Sequence, residues 1–249
     1  MRNIWTIAKR EYKYYLSTPI AYLIAGLILF ALGVLFALLL VESLQPGSTY
    51  VPQVEVFISW LYFPLLFFSL PALTMRLLSA EQRDGTIEML MTAPVRDYEI
   101  VVGKWLGAFL LMLSILAVTW VYPIIINQMV SPGIDQGPLL SGYLGLLLVA
   151  SAAIAMGVGI SSFFSNQIAT FFVTIVAFLM FYFFFSFGFA DPTNTSAFAQ
   201  VMRYLDFGGH FQDTMMRGII DLADVVFFVS FTALWLVVGA VSLETRRWR

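Results

Sequence analysis

Apolar residues along this chain fall into long runs that alternate with short polar segments. A helix that crosses a membrane needs about 20 mainly apolar residues, because the hydrocarbon layer is about 30 Å thick and each residue adds about 1.5 Å. Three runs meet this requirement, and they cover residues 19–41, 56–75 and 105–127. The second run ends before Arg76 and the third begins after Lys104. Each run therefore predicts a transmembrane helix.

A longer uncharged stretch lies between Asp135 and Asp191, and it exceeds the length of one spanning helix. A polar break inside it predicts a helical hairpin, with spans at residues 139–164 and 168–190. The residues of this break are Ser161, Ser162, Ser165, Asn166 and Gln167. Small residues four apart in the fourth span predict close helix packing within one subunit rather than a dimer contact. These are Ala153, Ala155, Gly157 and Gly159.

The last apolar run, residues 225–243, brings the predicted number of spans to six. Composition agrees, since 60% of the residues are hydrophobic and only 11% are charged. A soluble domain of this composition would leave much apolar surface in water. We therefore predict an all-α integral membrane protein whose single transmembrane domain covers residues 1–249.

The placement of positive charge predicts the orientation of the helices. All 13 lysines and arginines except Arg203 and Arg217 lie near the two termini or around the loop between the second and third spans. Lysine and arginine are held on the cytoplasmic side during insertion. We therefore expect a multi-pass protein of the cell membrane with both termini in the cytoplasm, and an even number of spans agrees with this.

Residues 1–18 predict a separate amphipathic helix at the membrane surface. At about 100° per residue, one arc of this helix is apolar and the opposite arc is basic. Trp5 belongs to the apolar arc, and the basic arc contains Arg2, Lys9, Arg10 and Lys13. Glu11 interrupts the apolar arc, so it either has a specific partner or extends to the lipid headgroups. The second interpretation is favoured.

Catalytic chemistry finds little support in the sequence. The chain has no cysteine, and His210 is its only histidine, so we interpret His210 as a surface or interfacial side chain and expect no metal site. No charged residue lies in the middle of a predicted span, which argues against proton-driven transport. A phosphate-binding loop is also absent around Gly103 and Lys104. We expect no catalytic residues and no cofactor bound by this chain.

The loop between the second and third spans predicts a short helix. Gly85 allows a sharp turn, Thr86 can cap the helix, Glu88 suits its positive start, and Pro94 ends it. One apolar face consists of Ile87, Leu90 and Met91. Such a ridge on a charged loop suits docking into a groove of a soluble partner, and it equally suits a structural helix that lies on the membrane.

The order of residues in this loop resembles the coupling loop of type 2 ABC exporter (ABC-2) permeases. The matching residues are Glu81, Gly85, Thr86, Glu88, Leu90 and Pro94, followed by Gly103 and Lys104 at the start of the next span. The basic N-terminal helix, which ends in Ser17, Thr18 and Pro19, resembles the connecting helix of that family. The segment from Arg217 and Gly218 to Asp221 and Leu222, before the last span, resembles the gliding-motility-associated branch.

This resemblance implies a permease subunit that couples ATP hydrolysis by a separate ATPase to outward transport or mechanical signalling. ATP and Mg²⁺ would then bind in the partner ATPase. The other expected partners are a second permease copy or a related permease, an accessory membrane subunit and membrane lipid, but no nucleic acid. The sequence leaves the cargo open. The alternative interpretation is a non-enzymatic channel or scaffold subunit that has no ATPase.

Overall fold

A computed structural model describes residues 2–43, 54–64, 68–86, 95–130, 133–184 and 196–247. Throughout these ranges every regular element is helical, which confirms the predicted all-α class. The first five described helices precede the loop between the second and third predicted spans, which we call the main loop. They are α1 (Arg2–Ser17), α2 (Pro19–Ser43), α3 (Val54–Pro64), α4 (Leu70–Thr74) and α5 (Ser79–Arg83).

Among the described residues, six further α-helices follow the loop. They are α6 (Asp97–Thr119), α7 (Val121–Met129), α8 (Gln136–Ser161), α9 (Gln167–Leu179), α10 (Ala197–Tyr204) and α11 (Leu222–Arg247). A π-helical turn, Met180–Phe184, continues α9, and a second one, Gly209–Thr214, precedes the 3₁₀ turn Met215–Arg217.

Four of these helical stretches are long and apolar enough to cross a membrane. They are Ala21–Ser43, Asp97–Met129, Gln136–Ser161 and Leu222–Thr245. The second predicted span corresponds to α3 and α4, and the fifth corresponds to α9 and its π-helical continuation, but both extend outside the described residues. The chain is thus a helical protein with several apolar spans, and the number six stays a prediction.

Helix α8 lies at the centre of the bundle. In its most apolar window 78% of the residues are buried, against 28% in α2 and in α11, because small side chains let other helices approach. A Cβ atom at Gly157 would lie 2.2 Å from Thr74 Oγ1, and one at Gly159 would lie 2.6 Å from the Trp235 ring. These contacts confirm that the predicted small residues pack within one subunit.

The turn between α8 and α9 confirms the predicted helical hairpin. Helix α8 ends at Ser161, and the Asn166 side chain begins α9 by accepting a hydrogen bond from Ile168 N at 2.9 Å. Ser242, near the end of α11, donates to the Ser162 carbonyl at 3.3 Å, so this turn lies beside the end of the last helix. We call this end of the bundle, which also carries α1 and α5, the terminal face.

The opposite end of the bundle, which we call the distal face, carries the α7–α8 turn and residues 196–221. Ser141 in the second turn of α8 donates to the Met215 carbonyl at 2.6 Å. Phe211 stacks on Tyr62 with ring centroids 4.6 Å apart, so this segment folds back into the bundle. The regular elements of this segment are α10 and the two turns that follow it.

The helix that contains the third predicted span extends beyond that span at its N-terminal end. The sequence predicts a span that begins after Lys104. Helix α6 begins at Asp97, so Lys104 lies about two turns inside it, with 2% of its surface exposed. The charge is tolerated there because carboxylates surround it.

Candidate coupling site

Lys104 is the centre of a buried ion cluster on the terminal face. Its Nζ atom lies 3.0 Å from Glu11 Oε1 and 2.8 Å from Glu81 Oε1. Glu11 belongs to α1, Glu81 to α5 and Lys104 to α6, so one ammonium group joins three separate helices. We call these three residues the terminal ion cluster. An ammonium group removed from water needs such partners, since an isolated buried charge is strongly unfavourable.

Glycines in α6 allow α1 to come close enough for this contact. A Cβ atom at Gly107 would lie 2.6 Å from the Glu11 Cβ and 3.0 Å from the Ala8 carbonyl oxygen. At Gly103 it would lie 2.8 Å from the Ile7 Cβ. Only glycine therefore fits at these two positions, which are four residues apart on one face of α6. The close crossing places the Glu11 carboxylate directly beside Lys104.

Glu81 is positioned by hydrogen bonds from the start of α5 to the α8–α9 turn. Leu78 N and Ser79 N donate to Ser161 Oγ at 3.0 and 2.9 Å. Gln82 Nε2 donates to the Ser162 carbonyl at 2.8 Å. A serine at the end of α8 thus satisfies two amides at the start of α5, which would otherwise lack partners. These bonds fix α5, and with it Glu81, against the centre of the bundle.

Two arginines surround the terminal ion cluster. Arg10 Nη2 lies 3.4 Å from Glu11 Oε1 and 3.8 Å from Glu81 Oε1, and 57% of its side chain is exposed. Arg76 Nη2 donates to the Tyr14 hydroxyl at 2.7 Å. These side chains line a cavity of about 430 Å³ together with Lys104. Arg10 is an exposed partner and contributes less than the buried lysine.

The N-terminal helix therefore packs on protein through its buried face. Ala8, Glu11 and Tyr15 are buried, and Tyr15 donates its hydroxyl to the Leu73 carbonyl at 2.9 Å. Burial raises the pKa of the Tyr15 phenol well above its ordinary value, with a further contribution from the charge of Glu11. The interpretation of Glu11 as a side chain that extends to lipid headgroups is wrong, because Glu11 binds Lys104.

The remaining predicted residues of α1 lie on its exposed surface. Trp5, from the apolar arc, is 56% exposed. The four predicted basic residues, Arg2, Lys9, Arg10 and Lys13, are also exposed. This distribution leaves a basic surface on the side of α1 that faces away from the bundle. Its contact with a membrane surface stays a prediction.

Of the turn and short helix predicted in the main loop, the structure describes Gly85 and Thr86. Gly85 has φ = +70°, a left-handed conformation that favours glycine, which confirms the predicted sharp turn. Thr86 Oγ1 lies 3.4 Å from the Glu81 carbonyl oxygen, so the turn folds back on α5. The predicted residues Ile87, Glu88, Leu90, Met91 and Pro94 lie outside the described residues. The structure thus places the start of the loop directly beside the terminal ion cluster.

The predicted residues before the last span lie on the distal face. Gly218 has φ = +88° and ends the 3₁₀ turn, while Arg217 Nη2 lies 3.4 Å from Asp213 Oδ1. Asp221 Oδ1 accepts a hydrogen bond from Ala223 N at 2.9 Å at the start of α11. Arg217 and Gly218 thus lie at the end of the 3₁₀ turn, and Asp221 lies at the start of α11. They are far from the terminal ion cluster.

Sequence reasoning missed two polar clusters that lie within the described residues. The sequence feature that could have indicated the terminal ion cluster is Glu11, a charged residue on the apolar arc of α1. In the structure this arc position faces Lys104 of α6. On the distal face, His210 Nδ1 lies 2.6 Å from Asp224 Oδ1, and Asp224 is only 4% exposed. His210 is therefore a partnered residue and not a free surface histidine. No group of three potential metal ligands occurs among the residues that the structure describes.

The fold and the terminal ion cluster define a multi-pass helical membrane protein in which α1 and α5 are both joined to α6. Comparison with protein families gives a match to the ABC-2 family transporter protein over residues 41–242. The chain therefore belongs to the ABC-2 transporter family, a membrane component of transport systems that normally works with an ABC ATPase subunit. A search among curated proteins finds no match.

Proposed function

We propose that this chain is the permease subunit of an ABC-2 exporter, and that it passes the movement of a separate ATPase subunit to the membrane helices. The observation that supports this most is the position of Lys104 between Glu11 and Glu81. Glu81 lies four residues before Gly85, where the main loop begins. A movement of that loop therefore reaches α5 first, and the ion cluster next.

The buried charge makes the three helices move together. If α5 moved away from α6 alone, Lys104 would lose one of its two carboxylates in a site from which water is largely excluded. Removing one partner of a buried ion pair costs about 3 to 5 kcal/mol, so joint movement is favoured over separation. The glycine contacts of Gly103 and Gly107 add a rigid surface, because closely packed helices transmit displacement rather than absorb it.

The ATPase contact itself is proposed for residues 86–92. Ile87, Leu90 and Met91 would supply the apolar ridge, and each large side chain buried in a partner groove contributes about 1.5 to 3 kcal/mol. Glu88 would add charge contacts beside this ridge. ATP and Mg²⁺ bind to the partner in this scheme, since the chain has no phosphate-binding loop.

The complete transporter in this proposal has two permease halves, formed by two copies of this chain or by this chain and a related one. Both termini and the main loop face the cytoplasm, so the distal face is external. The resemblance around Arg217, Gly218 and Asp221 supports assignment to the gliding-motility-associated branch, with an accessory membrane subunit. The complex either moves cargo outward or transmits a mechanical signal.

Purification of the tagged chain from native membranes tests the partner. We expect an ABC ATPase among the bound proteins, and we expect Leu90→Asp to lower its recovery about tenfold or more, as loss of one buried anchor predicts. The matched control is Leu140→Asp, since Leu140 is exposed on the distal face. Recovery of no ATPase with the wild-type chain would favour a channel or scaffold subunit instead.

Paired spin labels test the transmission step in the purified complex. The chain has no cysteine, so labels can be placed at Lys13 on α1 and Asp84 after α5 without background. We expect ATP to leave this distance unchanged in the wild type and to change it in Lys104→Gln or Glu81→Gln. Lys9→Gln is the control, because Lys9 is exposed. An unchanged distance in both cluster variants, despite ATP-driven movement elsewhere, would refute the role of the cluster.

A further inference from the structure

His210, the only histidine of the chain, is held between two hydrogen-bond acceptors. Its Nε2 atom lies 2.8 Å from the Tyr204 carbonyl oxygen, and its Nδ1 atom lies 2.6 Å from Asp224 Oδ1. A carbonyl oxygen can only accept, so Nε2 must carry a proton. The short contact at Nδ1 then requires a second proton, because a bare ring nitrogen and a carboxylate oxygen would otherwise present lone pairs to each other. One proton is therefore shared between His210 and Asp224.

The pair is shielded from water by the surrounding helices. The side chains of His210 and Asp224 are 12% and 6% exposed. The imidazole stacks on Phe227 with ring centroids 4.1 Å apart, and the Tyr204 ring meets it edge-on at 5.5 Å. Thr214 Oγ1 donates to the second oxygen, Asp224 Oδ2, at 2.6 Å. Every polar atom of the pair thus has a protein partner, and loss of the shared proton has no ready replacement by solvent.

The pair fastens the π-helical segment to the start of α11. Phe211 in this segment and Met215 in the 3₁₀ turn after it are fully buried, and a Cβ atom at Gly145 of α8 would lie 2.8 Å from both of their side chains. His210 precedes Phe211 directly, while Asp224 lies in the first turn of α11. Separation of His210 from Asp224 would therefore free the residues that wedge the distal segment into the bundle.

Other charged and titratable groups around the pair are mainly acidic or phenolic. Within the segment, Asp206 accepts from Gly208 N at 2.9 Å, and Asp213 pairs with Arg217. The groups on the elements packed around the segment are Arg203 and Tyr204 of α10, Tyr62 of α3, Tyr182 of the first π-helical turn, and Asp221 before α11.

We propose that His210 and Asp224 form a proton-dependent latch that holds residues 209–217 against the bundle and releases them when the pair loses its shared proton. Histidine is the side chain whose protonation changes most readily near neutral pH. The latch is closed at low pH and opens as the pH at the distal face rises. This goes beyond the proposed function, because it assigns pH control to the distal face and requires no ATPase.

Single-cysteine labelling of the full-length chain in detergent tests the latch. Both faces are open to reagent there, so the result does not depend on orientation or on a partner. Met215→Cys reports the buried segment, and Met129→Cys, at a position that is 51% exposed, corrects for the pH dependence of thiol reactivity. We expect the labelling ratio of position 215 to position 129 to rise about fivefold between about pH 5.5 and about pH 8.5.

Two variants identify the pair as the cause. Asp224→Asn supplies an amide that donates to the neutral imidazole, and His210→Asn supplies an amide that donates to Asp224, so each should make the ratio independent of pH. Thr214→Val is the matched control, because it removes a hydrogen bond from Asp224 but leaves the shared proton. The pH dependence should persist in that control.

Hydrogen exchange of the unsubstituted chain provides a second measurement in case Met215→Cys disturbs packing. Amides of residues 209–217 should lose protection at the higher pH, after correction for intrinsic exchange, while those of α8 should not. A flat labelling ratio together with unchanged protection would overturn the proposal. A pH dependence that persists in both Asp224→Asn and His210→Asn would overturn it as well.

Discussion

The two polar clusters of this protein, one on each face of the bundle, are built in opposite ways. In the terminal ion cluster, Glu11 and Lys104 are 93 residues apart in sequence, and each of the three charged groups lies on a different helix. On the distal face, His210 and Asp224 are 14 residues apart and depend on one proton. The first cluster joins remote helices through one ammonium group and two carboxylates, whereas the second fastens a local segment through a single histidine–aspartate contact.

This difference separates transmission from regulation. A fixed buried charge remains attached to its partners under all ordinary conditions, so it suits a joint that must carry movement in every cycle. A shared proton can be lost without any change in sequence or partner, so it suits a joint that opens under one condition. The comparison therefore predicts that variants on the terminal face alter stability and coupling, while variants on the distal face alter pH dependence.

The largest expected effect concerns the sides of the membrane on which the two clusters lie. In intact cells, an impermeant thiol reagent should label Met129→Cys on the distal face and leave Lys13→Cys on the terminal face unlabelled, because positive charge is retained in the cytoplasm. Permeabilised cells should show labelling at both positions, which serves as the control. Labelling of Lys13→Cys from outside would reverse the assignment of the two faces.

Lys104→Met should produce the next largest effect. The change leaves Glu11 and Glu81 with the exposed Arg10 in place of a buried cation, and we expect a loss of about 3 to 5 kcal/mol in the free energy of unfolding. Denaturant titration of the purified chain measures this loss. The control Lys13→Met removes an exposed lysine and should change stability by no more than about 0.5 kcal/mol. A similar loss in the free energy of unfolding for the two variants would show that the terminal ion cluster does not hold the three helices together.

Gly107→Ala sharpens the comparison by changing the distance between helices rather than a charge. The added methyl group would meet the Glu11 Cβ at 2.6 Å, so α1 must shift, at a cost of about 1 to 3 kcal/mol. Gly26→Ala is the matched control, because no atom lies within 4 Å of its added methyl group. There we expect a gain of about 0.5 to 1 kcal/mol, since alanine is the better helix former. Thermal unfolding of both variants provides the measurement.

Tyr15→Phe should have the smallest effect near neutral pH. Loss of the hydrogen bond to Leu73 costs about 0.5 to 1.5 kcal/mol. Since folding raises the pKa of Tyr15 above 10.0, its contribution is complete below that value and is lost as the pH rises through the folded-state pKa. The wild type should therefore lose stability more steeply than Tyr15→Phe above pH 10. Parallel curves in urea titrations would contradict this.

Much of the fold could be predicted because its signals are local in sequence. Long apolar runs predicted α2, α8 and α11, the polar break predicted the turn before Asn166, and a glycine predicted the sharp turn at position 85. Each of these elements is determined by a few neighbouring residues and by whether they lie in lipid or in water. The break in the third span at Trp120, three residues before Pro123, was not predicted, because that apolar run appeared continuous.

The polar clusters could not be predicted because their members meet only through tertiary packing. In the sequence, Lys104 indicates a membrane boundary and Glu11 indicates a side chain at the lipid headgroups, since each considered alone is a charge at the edge of an apolar surface. Only the close crossing at Gly107 shows that the two neutralise each other. His210 was likewise judged alone, although its partner Asp224 lies one helical segment later.

The hydrogen bonds from α5 to Ser161 also determine the order of assembly during synthesis. The amides of Leu78 and Ser79 are made 82 or more residues before the hydroxyl that satisfies them. Until α8 is in place, the amides at the start of α5 lack the Ser161 hydroxyl that holds Glu81 beside Lys104. The attachment of α5 to the bundle is therefore completed late in biogenesis. A chain truncated before residue 161 would contain the main loop but would lack the Ser161 hydroxyl that holds α5.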